Sequence, residues 1–244
     1  MPLIIHLVDE IDSTNNYMKS LLLKQKVKEG TIISADFQTG GRGQRGNGWM
    51  SENGKNLLFS IVLYPDAVKA NEQFLISQVV SLAVADFLRK YTDGITIKWP
   101  NDIYWRENKI CGILIENAIE GDKIKESVCG IGINLNQESF DDSLPNPVSL
   151  KQITGEYYKQ SIMLGEVREL LFSYYEQLRR GEMQIIAENY RDSLFRKTGY
   201  HLFNDNTNDF IARIKDVASD GTLVLQTKSG DERRFAFKEV RYVL

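Results

Sequence analysis

The sequence is poor in cysteine and histidine, two residue types that mark several protein classes. Its 244 residues include two of each. Cys111 and Cys129 lie in apolar, strand-like runs, so we interpret them as reduced core residues rather than as a disulfide framework. His6 and His201 lie outside the glycine-rich and polar motifs of the chain, so we interpret them as structural. The sequence therefore does not indicate a disulfide-stabilised domain.

The chain also lacks a large excess of either charge and a long apolar run. Its 30 basic and 33 acidic side chains leave a formal charge of −3, so no overall basic field points to nucleic acid. An uncharged, mostly apolar stretch covers residues 74–85 and is too short to span a bilayer. Residues 1–10 lack the basic start and cleavage site of a signal peptide. These features predict a cytoplasmic protein that binds neither DNA nor a membrane.

The pattern of apolar residues predicts an α/β domain followed by a small β domain. Short runs rich in Ile, Val and Leu indicate strands of a mixed sheet, and two segments with helical spacing indicate helices that cover it. A further helix should begin at the polar residues 12–15. From about residue 198, strands alternate with turn signals, which is typical of a small β-barrel. We therefore divide the chain into residues 1–195 and 196–244. The predicted strands cover residues 4–8, 31–36, 56–63, 95–99, 109–118, 127–135, 209–217, 222–227, 232–237 and 240–243.

A glycine-rich segment with two arginines is the most informative feature of the sequence. Residues 38–49 read QTGGRGQRGNGW and directly follow a predicted strand. Glycines let backbone N–H groups approach an anion, and Arg42 and Arg45 offer forked donors to phosphate or carboxylate. The segment predicts a nucleotide-binding loop, although a mobile surface loop without a ligand could have the same sequence. It lacks the lysine-serine end of a P-loop and the spacing of a dinucleotide fingerprint.

The motif KWPND at residues 98–102 ends a predicted strand. Pro100 has a fixed φ and biases the preceding residue toward an extended conformation. We therefore expect Asn101 and Asp102 to leave the sheet in a set direction. A strand followed by an Asx turn is the purely structural alternative.

Two predicted strands carry glycine where an ordinary strand carries a side chain. Residues 108–116 read NKICGILIE, and residues 130–136 read GIGINLN. Glycine inside a strand often marks close approach by a ligand or another backbone. Together the two segments are suited to form the floor of a flat binding site.

In this order, with the DSTN motif at residues 12–15, these motifs resemble those of the biotin protein ligase family. The resemblance runs from about residue 5 to the C-terminus. It implies an α/β ligase domain on a mixed sheet, like that of class II synthetases, followed by an SH3-like β-barrel. Relatives that also act as repressors carry an N-terminal DNA-binding domain. Because this sequence begins at the ligase domain, the resemblance implies a monofunctional ligase.

The resemblance also implies a two-step reaction and a set of site residues. Biotin and ATP, with Mg²⁺ on the phosphates, would form biotinyl-5'-AMP and pyrophosphate. The biotinyl group would then pass to a lysine of the biotin carboxyl carrier protein of a carboxylase such as acetyl-CoA carboxylase. Residues matched to the biotin site are Ser13, Thr14, Asn15, Gln38, Arg42, Gly43, Gln44, Lys109 and Gly112. Those matched to the nucleotide site are Arg42, Arg45, Trp49, Asn101, Lys109 and Asn134. The catalytic candidates are Lys109, Arg42 and Asp102, and no protein ligand for the metal is identified.

Some alternatives stay open at this point. Many relatives carry arginine where this chain has Gln44 and Asn47, so the phosphate contacts of the loop are less secure. A lipoate protein ligase would share the architecture and the adenylation chemistry, but it lacks the glycine-arginine pattern. A non-catalytic biotin or nucleotide sensor is a further alternative, against which the presence of Lys109, Arg42 and Asp102 together weighs. Exposed strand edges would also allow a homodimer.

Overall fold

The computed structural model describes residues 4–244, apart from the side chain of Arg45. Its strands are β1 (Ile5–Ile11), β2 (Ile32–Gln38), β3 (Leu57–Leu63), β4 (Ile95–Lys98), β5 (Asp102–Trp105), β6 (Asn108–Glu120), β7 (Lys123–Ile133), β8 (His201–Asn204), β9 (Asp209–Val217), β10 (Leu223–Thr227), β11 (Glu232–Phe235) and β12 (Arg241–Tyr242). Its α-helices are α1 (Thr14–Lys24), α2 (Phe74–Arg89), α3 (Leu150–Thr154), α4 (Gln160–Arg179) and α5 (Met183–Asp192). In residues 4–244, no helix is both long and apolar enough to cross a membrane.

Seven strands form one mixed sheet, which confirms the fold class predicted from the sequence. The strand order is β1-β2-β3-β7-β6-β5-β4. Strands β1 and β2 run parallel, whereas the other neighbouring pairs are antiparallel. The long strands β6 and β7 are joined by a tight turn at Gly121, whose φ of +65° lies in the region that glycine adopts most easily. This hairpin forms the centre of the sheet.

Helices pack against both faces of this sheet. On one face, α2 packs under α4 and α5, and 13 of its 16 residues are buried. Each large aliphatic side chain buried there stabilises the fold by about 1.5–3 kcal/mol. On the other face, α1 contacts β2, β3 and β7, where Met18, Ile33 and Val62 form a smaller core. The part of this face over β4, β5 and β6 is therefore available for a site.

The last five strands form a second sheet, in which every neighbouring pair is antiparallel. The order is β11-β10-β9-β8-β12. In residues 201–242 no ladder joins β11 to β12, so closure into an SH3-like barrel stays a prediction. The indole Nε1 of Trp99 donates a hydrogen bond to the carbonyl oxygen of Gly221 (2.9 Å). Residues of both sheets, among them Ile131 and Tyr242, belong to one buried hydrophobic cluster.

The chain after β4 follows a different path from the one predicted. We expected Asn101 and Asp102 to leave the sheet, and for Asp102 this is wrong. The chain turns at residues 99–101, and Asp102 begins β5 opposite Lys98 of β4. The turn is held by distant residues, since Tyr190 of α5 donates a hydrogen bond to the carbonyl oxygen of Pro100 (2.8 Å). The conformational preferences of residues 98–102 alone do not predict a contact with so distant a residue.

Both cysteines are buried free thiols, as predicted. Cys111 and Cys129 have no solvent-exposed surface. Burial raises the pKa of the Cys111 thiol well above its ordinary value, and it raises the pKa of Cys129 to about 12. Both thiols therefore stay protonated near neutral pH and are poor nucleophiles.

Candidate active site

A cavity of about 780 Å³ lies between the partly covered face of the seven-stranded sheet and the C-terminal sheet. Strands β4–β7, the start of α1 and the segments 42–50 and 140–147 contribute to its wall. So do residues 237–242 of the C-terminal sheet. Every residue matched above to biotin or nucleotide lines this cavity, except Arg45, whose side chain lies outside the described part of the chain. Motifs that are far apart in the sequence thus meet in one place.

The N-terminus of α1 places a buried polar network at one end of the cavity. Ser13 is the N-cap residue, but its side chain makes no capping hydrogen bond and can serve a ligand. The backbone N–H and the hydroxyl of Thr14 both donate to Oε1 of Gln38 (2.8 and 3.1 Å). The hydroxyl of Ser60 in β3 lies 2.7 Å from Thr14 Oγ1 and donates to Asn15 Oδ1 (2.6 Å). These side chains are therefore held in place before any ligand binds.

Gly130 of β7 provides the space in which Asn15 sits. A Cβ atom at position 130 would lie 2.9 Å from Cγ of Asn15, closer than real Cβ contacts. The amide Nδ2 of Asn15 donates to Glu116 Oε2 (2.9 Å) and to the carbonyl oxygen of Leu114 (3.3 Å). The side chain of Asn15 is thus fixed at both ends of its amide group.

Glu116 of β6 gathers two cations beside this network. Its carboxylate contacts Lys19 (2.8 Å) and Arg42 (3.1 Å), and Arg42 also donates to Oδ1 of Asn16 (2.8 Å). Burial would raise the pKa of the Glu116 carboxyl, but hydrogen bonds from Lys19 and Asn15 outweigh burial and lower it. The guanidinium of Arg42 is therefore held near the start of α1.

The indole of Trp49 lies against the two strand glycines that face each other across β6 and β7. Gly112 pairs with Gly132, and a Cβ at either position would come within 2.7 Å of the indole ring. The Nε1 of Trp49 is buried and has no hydrogen-bond partner among the described residues. The ammonium of Lys109 lies 5.7 Å from the ring centre, a cation–π distance. The sequence predicts room over Gly112 for a ligand, and here the indole fills that room.

Polar residues of the KWPND, NKICGILIE and GIGINLN motifs also line the cavity. The ammonium of Lys109 forms an ion pair with Asp102 Oδ1 (2.8 Å), and about a third of each side chain is exposed. The amide of Asn101 donates to a backbone carbonyl of β6, and the amide of Asn134 donates to Val148 O (3.1 Å). These two asparagines therefore also brace the chain around the cavity.

Sequence reasoning missed several residues of the site. Ser60 is the single polar residue in the apolar strand β3, and Glu116 ends the NKICGILIE motif, so each left a signal in the sequence. Lys98 begins the KWPND motif and lines the cavity. Tyr242 of β12 also lines it, and no sequence signal links so distant a residue to the other motifs.

This chain is similar in sequence to known protein ligases. A profile described as the Biotin/lipoate A/B protein ligase family matches residues 7–134. Bifunctional ligase/repressor BirA of Bacillus spizizenii is 28% identical over 243 residues, covering 95% of this chain and 72% of that protein. Biotin--[acetyl-CoA-carboxylase] ligase of Paracoccus denitrificans is 32% identical over 153 residues, covering 59% of this chain and 61% of that protein.

A solved structure shares the fold over nearly its whole length. Biotin protein ligase from Aquifex aeolicus, in complex with biotin and ATP, has a TM-score of 0.81 at 24% identity. The match covers 98% of this chain and 99% of that chain. The two chains therefore have a common architecture.

Proposed function

This chain belongs to the biotin/lipoate A/B protein ligase family, and from that membership we propose that it is an ATP-dependent biotin protein ligase. It joins biotin to AMP as biotinyl-5'-AMP and transfers the biotinyl group to a lysine of a biotin carboxyl carrier protein. The observation that carries the proposal is the preorganised polar network of Thr14, Asn15, Gln38 and Ser60 at one end of the cavity, next to the buried Ser13.

This network favours biotin over lipoate as the acyl substrate. The ureido ring of biotin carries two N–H donors and a carbonyl acceptor, whereas the dithiolane ring of lipoate carries no strong donor or acceptor. Hydroxyls and amides that face a dithiolane would lose their water without gaining a partner, which costs about 1–3 kcal/mol for each group. A biotin head group would instead offer partners to the hydroxyl of Ser13 and the amide N–H groups of Gln38, which make no hydrogen bond within the described structure.

In the first step, a biotin carboxylate oxygen attacks the α-phosphorus of ATP. The bond from that phosphorus to the bridging oxygen of the β-phosphate breaks, and pyrophosphate leaves with the bonding electrons. Negative charge builds on the phosphoryl oxygens, and Lys109 and Arg42 stabilise it electrostatically. We assign these two cations to the reacting carboxylate and the α-phosphate, because both line the cavity.

Magnesium would accompany the phosphates rather than occupy a site built by the protein. Residues 4–244 contain no cluster of three or more His, Cys, Asp or Glu side chains that could hold a metal. Asp102 is the one carboxylate that lines the cavity among the described residues. One carboxylate plus phosphates and water is a common ligand set for Mg²⁺, so the residues fit this ion. When bound, Mg²⁺ would neutralise charge on the leaving pyrophosphate.

In the second step, the amine of the acceptor lysine attacks the carbonyl carbon of the mixed anhydride. The bond from that carbon to the AMP oxygen breaks, and AMP leaves. A free lysine is mostly protonated because its ordinary pKa is about 10.4. We assign Asp102 to orient the amine and accept its proton, because it is the carboxylate beside Lys109 in the cavity. Full transfer by Asp102→Asn from preformed biotinyl-5'-AMP would disprove this role.

The remaining cavity residues surround the adenylate. Trp49 packs against adenine, and Asn101 and Asn134 contact the nucleoside. Gly43 and Gln44 close over the acyl chain, and Gly112 lets the indole of Trp49 lie against β6 beside it. The assignment of Arg45 to the nucleotide remains a prediction from the sequence, because its side chain lies outside the described part of the chain. The division at residues 195 and 196, the cytoplasmic location, the homodimer and the lack of DNA binding remain predictions.

The decisive test offers ATP, Mg²⁺ and either biotin or lipoate to the purified protein with a carrier domain. We expect exchange of pyrophosphate into ATP with biotin only, and a mass gain of one biotinyl group on one carrier lysine. Exchange with lipoate alone would replace this proposal by lipoate ligation. The absence of exchange with either acid, despite biotin binding, would identify a sensor.

A further inference from the structure

One straight row of residues crosses the sheet beneath the cavity. Successive register partners along it are Gly132 of β7, Gly112 of β6, Asp102 of β5 and Lys98 of β4. Neighbouring strands lie about 4.8 Å apart, so Lys98 stands roughly 14 Å from Gly132. The polar network of α1 lies over β3 and β7, at the opposite end of this row. Lys98 is therefore the residue of this row that lies farthest from the polar network, and the indole of Trp49 lies over the two glycines between them.

Lys98 is a cation without a counter-ion. Among residues 4–244 no carboxylate lies within 4.0 Å of its ammonium group, and the nearby carboxylate of Asp102 is already paired with Lys109. The charges that act on Lys98 are those of Asp102, Lys109 and Arg196, one anion against two cations. Burial lowers the pKa of Lys98, and the attraction of Asp102 opposes this only in part. Binding an anion next to such a cation is therefore favourable, because the anion supplies the missing opposite charge.

Two tyrosines complete the surroundings of Lys98. Its ammonium donates a hydrogen bond to the hydroxyl of Tyr104 (2.9 Å) and lies 4.6 and 5.5 Å from the ring centres of Tyr104 and Tyr242. Tyr242 is 92% buried, and its hydroxyl has no hydrogen-bond partner in the described structure. A buried hydroxyl without a partner costs free energy unless a ligand supplies one. Both tyrosines line the cavity.

We propose that Lys98, Tyr104 and Tyr242 form a subsite for the pyrophosphate group of ATP, at the junction between β4 and the C-terminal sheet. Lys98 supplies the charge, and the two phenol hydroxyls donate hydrogen bonds to phosphate oxygens. The identity of the anion rests on the proposed function, because pyrophosphate is the product that leaves the α-phosphorus. The subsite also assigns a task to the C-terminal sheet, which contributes Tyr242.

The variants Lys98→Met and Tyr242→Phe test the subsite. Each should raise the KM for pyrophosphate in biotin-dependent exchange about tenfold or more, the effect of losing a hydrogen bond to a charged group. The loss should be larger in exchange than in transfer from preformed biotinyl-5'-AMP, because transfer involves no pyrophosphate. Tyr242→Phe should not lower the free energy of unfolding, since the deleted hydroxyl is buried and has no partner in the described structure. Lys90→Met and Tyr174→Phe are matched controls, since their polar groups bind Glu166 and Asp86 on the α2–α4 side.

Calorimetric titration of the unliganded proteins with pyrophosphate separates this inference from the proposed function. Weaker pyrophosphate binding in both cavity variants, and unchanged binding in both controls, supports the subsite. Unchanged pyrophosphate binding and unchanged KM in both cavity variants overturns it. If the native protein shows no biotin-dependent exchange, the proposed function fails, and the titration alone then decides whether Lys98 and Tyr242 bind the anion.

Discussion

Replacing Gly130 with alanine should damage the polar network without touching a polar group. The new Cβ would overlap Asn15, which cannot swing away because its amide is held on both sides. Overpacking of this kind costs about 1–3 kcal/mol. Displacing Asn15 also breaks its hydrogen bond with Ser60, which contributes about 1 kcal/mol. The free energy of unfolding should therefore fall by roughly 2–4 kcal/mol.

Urea unfolding and calorimetric titration with biotin measure the two consequences of Gly130→Ala. Affinity for biotin should fall about tenfold or more, because a loss of 1.4 kcal/mol in binding has that effect. Gly165→Ala is the matched control, since the added Cβ would have no heavy atom within 4 Å apart from its chain neighbours and the nearby backbone of α4. It should stabilise α4 by about 0.5–1 kcal/mol and leave biotin binding unchanged. Native stability and native biotin affinity in Gly130→Ala would refute the steric argument.

Three further substitutions test other contacts. The hydrogen-bond and ion-pair partners of Glu116 hold the pKa of its carboxyl below the ordinary value of 4.5. The carboxylate therefore stabilises the fold above pH 4.5, and this stabilisation is lost as the pH falls. Urea unfolding across the acid range should show a weaker pH dependence in Glu116→Gln, and an unaltered profile would contradict this. Trp49→Ala should abolish most of the change in tryptophan fluorescence caused by biotin with ATP, whereas a full change would mean that another indole reports binding. Trp99→Phe should lower the free energy of unfolding by about 0.5–1.5 kcal/mol through loss of the hydrogen bond to Gly221, and equal stability in urea would refute that contribution.

The sheet was predictable because apolar and polar residues alternate along some of its strands and other strands are apolar throughout. The run Leu57–Leu63 is buried at every residue, which requires cover on both faces, and its composition alone indicates this. The space over Gly112 and Gly132 was also predictable, since a strand residue without a Cβ atom lets a ligand or another group lie against the backbone. That the ring of Trp49 fills this gap depends on the path of a loop, which local sequence does not determine.

The parts of the site that were missed depend on contacts between distant residues. The turn at Pro100, which leads into β5, is held by Tyr190, 90 residues further along the chain. Tyr242 reaches the cavity only because the second sheet packs against the first. Residues 140 and 144–147 also line the cavity, although they belong to none of the motifs identified in the sequence. Sequence patterns report which residues are buried or polar, and they report much less about which of them meet.

The two buried thiols make this protein convenient for site-specific chemistry. Maleimides react with exposed thiolates, and neither Cys111 nor Cys129 offers one in the folded chain. A single cysteine introduced on an exposed part of the glycine-rich segment would therefore be the selective point of attachment for a dye or spin label. Motions of that segment can thus be followed on the native background, with no need to remove either natural cysteine.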